Sequence, residues 1–360
     1  MLSKTKNIEK QLLFEFSDET ENESIDFRYV ITSYGADYPV DSLIKRIKDE
    51  VIFVPPFQRQ YVWNMDEASK FIESLILGLP VPGIFLSKEK DTNRLLVVDG
   101  QQRLLSLYFF YQGYFGKTPF RLQNVQEDLV GRSYSTLKAN DRIRLDDSIL
   151  HATVVRQDEP DDNNSSVYQI FERLNSGGRA LKPQEIRACI YYGEFNELLN
   201  VLVKDINWRL IFGKLSDERL KEQELILRFF SLLYYRDKYE KPLKSFLNTY
   251  MNVNRDLQFN SRNELETIFK KTYSFIVNTI GLKPFRVNRN LNLGAFDAIS
   301  IGIAERLKQG DITDTSAFKS AYNDLTNSKE FITVVQGGTS DEKNVEMRIE
   351  MAISTFKNLK

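Results

Sequence analysis

Arg94–Tyr111 reads RLLVVDGQQRLLSLYFFY, and the order of its parts decides how the N-terminal half folds. Leu95–Val98 is a short apolar run of the kind that forms a buried strand. Asp99-Gly100-Gln101-Gln102-Arg103 follows at once, and then an apolar run long enough for a core helix. A strand that turns on one glycine straight into a helix leaves backbone N–H groups open at the helix start. Their partial positive charge suits an anion such as a phosphate. Gly100 permits a tight turn and close approach of a ligand, and Arg103 adds a planar fork of donors. Asp99 could hold a metal ion, orient a water, or bind a sugar or base edge. The plainer alternative is that Asp99 caps the helix and pairs with Arg103. The run is not a P-loop, because it has neither the GxxxxGK pattern nor an equivalent lysine.

The rest of the composition bounds the class. A chain of 360 residues with 42% hydrophobic and 12% aromatic content has ample core material for two domains. The 49 basic and 50 acidic residues leave a net charge of -1, which argues against a globally basic nucleic-acid binder but leaves room for a local patch. One cysteine, Cys189, rules out an internal disulfide and fits a reducing cytosol. No apolar run approaches the roughly 20 residues needed to span a bilayer, and MLSKTKNIEKQ lacks a signal-peptide core. The expectation is a cytoplasmic protein without a membrane partner. The single histidine, His151, cannot furnish a ββα-metal nuclease motif, which needs a histidine base and usually a second as ligand. One His and one Cys cannot build a zinc site either, so no protein metal site is assigned. His151 reads as the opening of a strand.

Along the chain, residues 1–25 are polar and acidic and read as a loose arm. Strands are expected near Phe27–Thr32, Val51–Val54, Ile84–Ser87, Leu95–Val98 and Ala152–Val155. Helices are expected at Val40–Glu50 and after Asp66, a candidate cap. The second helix carries Ala68, Phe71, Ile72, Leu75, Ile76 and Leu79 at i, i+3, i+4 spacing. Leu104–Phe110 is apolar nearly all round, so that helix should be buried. Val167–Leu174 marks a short helix, and Pro183 suits the first turn of the next. From about residue 195 the period is helical almost throughout. The organisation is thus an arm (1–25), an α+β domain (26–194) and an all-α region (195–360).

Two further junctions resemble the first in chemistry. Phe57-Gln58-Arg59-Gln60-Tyr61-Val62-Trp63 lies between a strand and an amphipathic helix. Asn175-Ser176-Gly177-Gly178-Arg179, with Gln184-Glu185-Ile186-Arg187, lies between two helices. Each alone reads as a satisfied turn or cap. Converging, they would bring amides for a base or sugar, arginines for phosphates, and carboxylates for a metal or water.

These residues resemble one known family. Pro56-Phe57-Gln58-Arg59-x-Tyr61-x-Trp63, Phe71-Ile72-Glu73-Ser74-x5-Pro80, Val98–Leu104 and Phe171-x-Arg173-x-Asn175-x-Gly177-Gly178-x3-Lys182–Arg187 stand in the order and spacing of a ParB/sulfiredoxin-like domain. That domain occurs at the N-terminus of GmrSD-type, modification-dependent restriction enzymes and related phage-defence proteins. The resemblance covers roughly residues 35–195. It implies a ParB/sulfiredoxin-like fold and a nucleoside triphosphate, with Mg²⁺, bound and hydrolysed at the DGQQR run. Carried onto this chain, it makes Asp99, Gln102 and Arg103 the catalytic candidates. Gly100, Gln101, Gln58, Arg59, Asn175, Gly177, Gly178 and Arg187 become nucleotide-binding candidates.

By the same resemblance, the nucleotide state would gate DNA binding or cleavage in a restriction system. Restriction members usually add a histidine-centred nuclease domain, and residues 195–360 contain no histidine. Cutting would then fall to a separate nuclease subunit, with a methyltransferase as another candidate partner; self-association is left open. The competing expectation is a non-catalytic DNA-binding or adaptor module using the same pocket.

Overall fold

The computed structural model describes residues 30–54, 61–89, 93–159, 165–174, 182–213, 220–287, 290–337 and 340–360. The expected arm, and the Gln58-Arg59 and Asn175–Gly178 segments, lie outside these residues. The chain separates into two compact units, Phe27–Tyr192 and Gly193–Lys360, the first mixed α and β and the second almost wholly helical.

In the first unit the elements run β1 (Val30–Pro39), α1 (Val40–Lys48), β2 (Ile52–Phe53), α2 (Met65–Ile76), β3 (Ile84–Lys88), β4 (Leu95–Asp99) and α3 (Gln101–Gln112). A small hairpin of β5 (Tyr114–Phe115) and β6 (Thr118–Pro119) follows. Then come α4 (Ala139–Asp147), β7 (Ile149–Glu159), α5 (Ser165–Leu174) and α6 (Pro183–Ile190). The main sheet has the order β1-β7-β3-β4-β2. β1 is antiparallel to β7 and β3 to β4, whereas β3 runs parallel to β7 and β2 to β4.

Strand alternation divides the side chains between two faces. Ile84, Leu86, Leu95, Val97, Ala152 and Val154 join Leu43 of α1 and Leu104 of α3 in one core. The far sides of those two helices carry Val40, Ile44, Leu107 and Phe110 into a second core with α2 and α4. Leu96, Val98 and Val155 are buried outside both of these clusters, and α5 and α6 pack against β4 and β7. α3 is therefore the central helix, but it is not buried all round as its composition suggested. Leu105, Tyr108 and Phe109 keep intermediate exposure, because the two cores meet only part of its circumference.

Two local expectations need correction. Asn64, not Asp66, caps α2: its Oδ1 accepts from Glu67 N at 2.9 Å, and its own N–H donates to Glu67 Oε2 at 2.8 Å, a reciprocal capping box. A cap residue needs extended backbone, which Asn64 has (ψ 175°), whereas Asp66 is already helical. Asp66 instead accepts from the side-chain amides of Gln123 and Asn124. Leu79 is 53% exposed, because α2 ends at Ile76 before that position returns to the buried stripe.

The second unit continues with α7 (Glu194–Leu202), α8 (Ile206–Phe212), α9 (Lys221–Tyr234), α10 (Leu243–Val253) and α11 (Arg262–Thr279). A short hairpin, β8 (Arg286–Val287) and β9 (Asn290–Leu291), precedes α12 (Leu293–Lys308), α13 (Thr315–Asn327), α14 (Lys329–Gln336) and α15 (Glu342–Phe356). α12 is the axis, packed by α9, α11, α14 and α15. Trp208 is fully buried, and its indole N–H donates to Glu222 Oε2 at 2.7 Å.

Asp297 of α12 is also fully buried. It receives Arg228 Nε and Nη2 from α9 and Arg348 Nη2 from α15, each at 2.7 Å. One carboxylate thus ties three helices, and removing it would strand two guanidinium groups in the core. Asp297→Asn is expected to destabilise this unit by about 3–5 kcal/mol. A lowered denaturation midpoint of the helical unit, followed by circular dichroism, is the check.

Candidate functional site

β4 ends at Asp99, and the chain turns at Gly100 into α3. Gly100 has φ 94° and stands at the N-cap position, in the left-handed region that only glycine enters cheaply. Space enforces the same choice. A Cβ at Gly100 would lie 2.4 Å from Ile84 Cγ2 on the neighbouring β3. Among the described residues no side chain caps α3. The N–H of Leu104 bonds to Gly100 O at 3.0 Å, while those of Gln101, Gln102 and Arg103 meet no acceptor among the described residues. An uncapped helix start of this kind presents donors and a positive dipole end to an anion.

Asp99 therefore does not cap. Its Oδ2 accepts from Arg103 Nη2 at 2.9 Å, and the same nitrogen donates to Gly83 O at 2.9 Å. The Arg103 side chain is 16% exposed and that of Asp99 47%. Arg103 Nε is buried and meets no acceptor among the described residues. The guanidinium is thus held at one corner, with donor capacity to spare beside the open N–H groups. Gly83, just before β3, admits no side chain either, since a Cβ there would fall 2.7 Å from His151 O.

Gln102 does something the sequence does not disclose. Its side-chain Oε1 accepts from Val62 N at 2.9 Å and Trp63 N at 3.2 Å. Its carbonyl accepts from Ser106 Oγ at 2.7 Å, and Ser106 Oγ lies 2.7 Å from Tyr61 OH. Ser106 has one proton and gives it to the carbonyl, so Tyr61 donates to Ser106. Burial pushes the Tyr61 phenol up to about 12, against the opposing hydrogen bond to Ser106, so it remains a donor at neutral pH. Edge contacts of Tyr61 with Phe109 and Phe115 hold its ring, and Trp63 packs edge-on against Phe71. Of the expected convergence between junctions, the structure displays this contact between the DGQQR turn and Tyr61–Trp63.

Arg187 lies on α6, which packs against β4. It is 1% exposed and donates to Gln184 Oε1 at 3.2 Å. Gln101 opens α3 with intermediate exposure. Among the described residues no three His, Cys, Asp or Glu side chains gather as a metal cluster, and no helix is long and apolar enough to cross a membrane. Gly83 and Ser106 are contributors that the sequence does not single out, and Tyr61, which stands in the Pro56–Trp63 motif, carries no assigned role there. Gly83 acts through its carbonyl, and only the approach of β3 to β4 brings it to Arg103.

With this geometry in hand, residues 40–192 match the family model of the GmrSD restriction endonuclease N-terminal domain. The match spans 153 of the 360 residues, and that segment is similar to this domain. A comparison with curated proteins returns no match. Among solved structures the chain is similar to a Pnob8-like ParB-N domain, at 12% identity over 89% of this chain and 99% of that one, with a TM-score of 0.21. The fold assignment rests on the sheet order and helix packing described above.

Two substitutions test the local construction. Gly100→Ala meets both the positive φ and Ile84, and is expected to cost at least about 1–3 kcal/mol of stability, read as a lowered melting temperature. Gln102→Ala removes the acceptor for two N–H groups and should cost about 1–2 kcal/mol. Gln102→Glu retains that acceptor and should restore most of the loss, by the same measurement.

Proposed function

We propose that this chain is a nucleotide-binding, nucleoside-triphosphate-hydrolysing regulatory component of a DNA-targeting restriction or phage-defence system, with its site at the β4–α3 turn. The GmrSD N-terminal domain over residues 40–192 is that of a restriction-system component. The observation that carries the nucleotide reading is the start of α3. Three N–H groups without an acceptor among the described residues, at the start of α3, stand beside an arginine whose Nη2 is fixed by Asp99 and Gly83.

Phosphates at such a turn are met by backbone donors first and by Arg103 second. Arg103 stabilises the charge that builds on the transferring phosphoryl group, and Asp99 holds Arg103 in place. Mg²⁺, carried in with the triphosphate, would supply neutralisation of phosphate charge beside Arg103. Gln102 links this turn to Tyr61–Trp63, the end of the segment that contains Gln58 and Arg59. That link supports reading the two motifs as one device in which nucleotide occupancy sets the position of an aromatic segment.

The sole histidine of these 360 residues lies in β7, so a two-histidine ββα nuclease motif cannot be drawn from them. In this reading DNA is cut by a separate nuclease subunit, and the nucleotide state of this chain licenses it.

Purified protein with Mg²⁺ and each of the four common nucleoside triphosphates should release phosphate. Arg103→Ala should lower kcat about 10²–10³-fold, as loss of one transition-state donor does elsewhere; Asp99→Ala, which frees Arg103 from its place, should lower it in the same direction, with folding checked by melting temperature. Release no faster than from these variants, for every nucleotide tried, overturns the hydrolytic reading.

A further inference from the structure

At the DGQQR turn Asp99 Oδ2 is engaged by Arg103, Gln101 and Gln102 cannot take a proton, and Tyr61 is a donor held protonated by burial. A base on a neighbouring element would leave Asp99 to its pairing with Arg103.

The sheet supplies one at the same end. β1 and β7 pair so that Asp37 faces His151, and His151 Nδ1 lies 2.6 Å from Asp37 Oδ1. β3 runs parallel to β7 with Ile84 opposite Ala152, which sets Gly83 beside His151. The backbones touch there, as the 2.7 Å approach of a Gly83 Cβ to His151 O shows. The carbonyl of the same Gly83 accepts from Arg103. Asp37, His151, Gly83 and Asp99 thus lie at one end of the adjoining strands β1, β7, β3 and β4, with Arg103 of α3 bonded to Gly83 and Asp99. With strands about 5 Å apart, His151 stands two spacings, about 10 Å, from the Asp99–Gly100 turn, within reach of a phosphate chain laid across Gly83.

The histidine is set up for proton transfer rather than for packing. Its side chain is 63% exposed and that of Asp37 66%, and an exposed pair of this kind adds little to stability. The carboxylate on Nδ1 fixes the neutral ring as the Nδ1–H tautomer and leaves Nε2 as the acceptor. Gly35, diagonally opposite on β1, keeps the ring's flank open: a Cβ there would approach His151 Cε1 to 3.2 Å.

We propose that His151, oriented by Asp37, is the general base of the site at Asp99–Arg103. This rests on the hydrolytic reading above. The water oxygen attacks the γ-phosphorus, forming the new P–O bond as the β–γ bridging P–O bond breaks. The electron pair of that bond leaves with the nucleoside diphosphate. The water proton passes to His151 Nε2 and then to solvent, so that triphosphate and water give diphosphate, inorganic phosphate and one proton.

The test uses the full chain and compares wild type, His151→Ala, Asp37→Asn and Arg103→Ala. Phosphate release gives kcat and KM, and a non-hydrolysable fluorescent triphosphate analogue gives affinity. His151→Ala should lose about 10²-fold or more in kcat, while analogue affinity and melting temperature stay near wild type. Asp37→Asn should show a smaller loss of kcat, since the ring remains but its orientation is less fixed. A pair that only joins β1 to β7 would instead lower the melting temperature and leave kcat intact, and that result overturns the proposal. If Arg103→Ala slows release and His151→Ala does not, the base assignment falls and the nucleotide site stands. If wild type releases no more phosphate than Arg103→Ala, both fall together.

Discussion

No side chain fits at Gly100, and the architecture of the first unit's site depends on that. Ile84 on β3 occupies the space where a Cβ would lie, so β4 can run close beside β3 up to Asp99 and then turn within one residue. The tightness of this turn does three things. It starts α3 where no side chain among the described residues caps it, it directs Leu104 and Leu107 into two different cores, and it puts Arg103 one helical turn above Asp99. A larger residue would have to push the strands apart or redirect the central helix.

The polar residues after that glycine divide their tasks. Arg103 and Asp99 form a part-exposed pair, worth only about 0–1 kcal/mol in such settings, so their value lies in orientation more than in stability. Gln102 works as an anchor: one side-chain oxygen holds two backbone N–H groups of the Tyr61–Trp63 stretch. A glutamine suits this because its amide oxygen has two lone pairs and carries no charge that would need a counterion. The helical unit handles burial differently. Its Asp297 is fully buried and takes three hydrogen bonds from Arg228 and Arg348, so a full charge in the core is met by two guanidinium groups from other helices.

Much of the frame was legible in the residues. The strand at Leu95–Val98, the glycine turn, the amphipathic spacing of α2, the proline at the start of α6 and the helical period after residue 195 all follow from neighbours in sequence. The differences are local too. Composition does not say which of Asn64 and Asp66 keeps the extended backbone that a cap needs, and the apolar content of α3 does not say how many neighbours arrive around it. The Asp297 cluster gave no signal in advance, since an arginine in an apolar helix reads as surface until its partner on another helix is known.

By itself, then, the sequence determined the elements and the DGQQR turn, because propensity, periodicity and the steric freedom of glycine act over a few residues. Tertiary structure alone decided what those residues touch. Gly83 lies 20 positions from Arg103 in the chain, Gln102 lies 40 from Val62, and Asp37 lies 114 from His151. Such pairs are set by strand register and strand order, which depend on the burial of whole faces and leave no short-range mark on the residues they bring together.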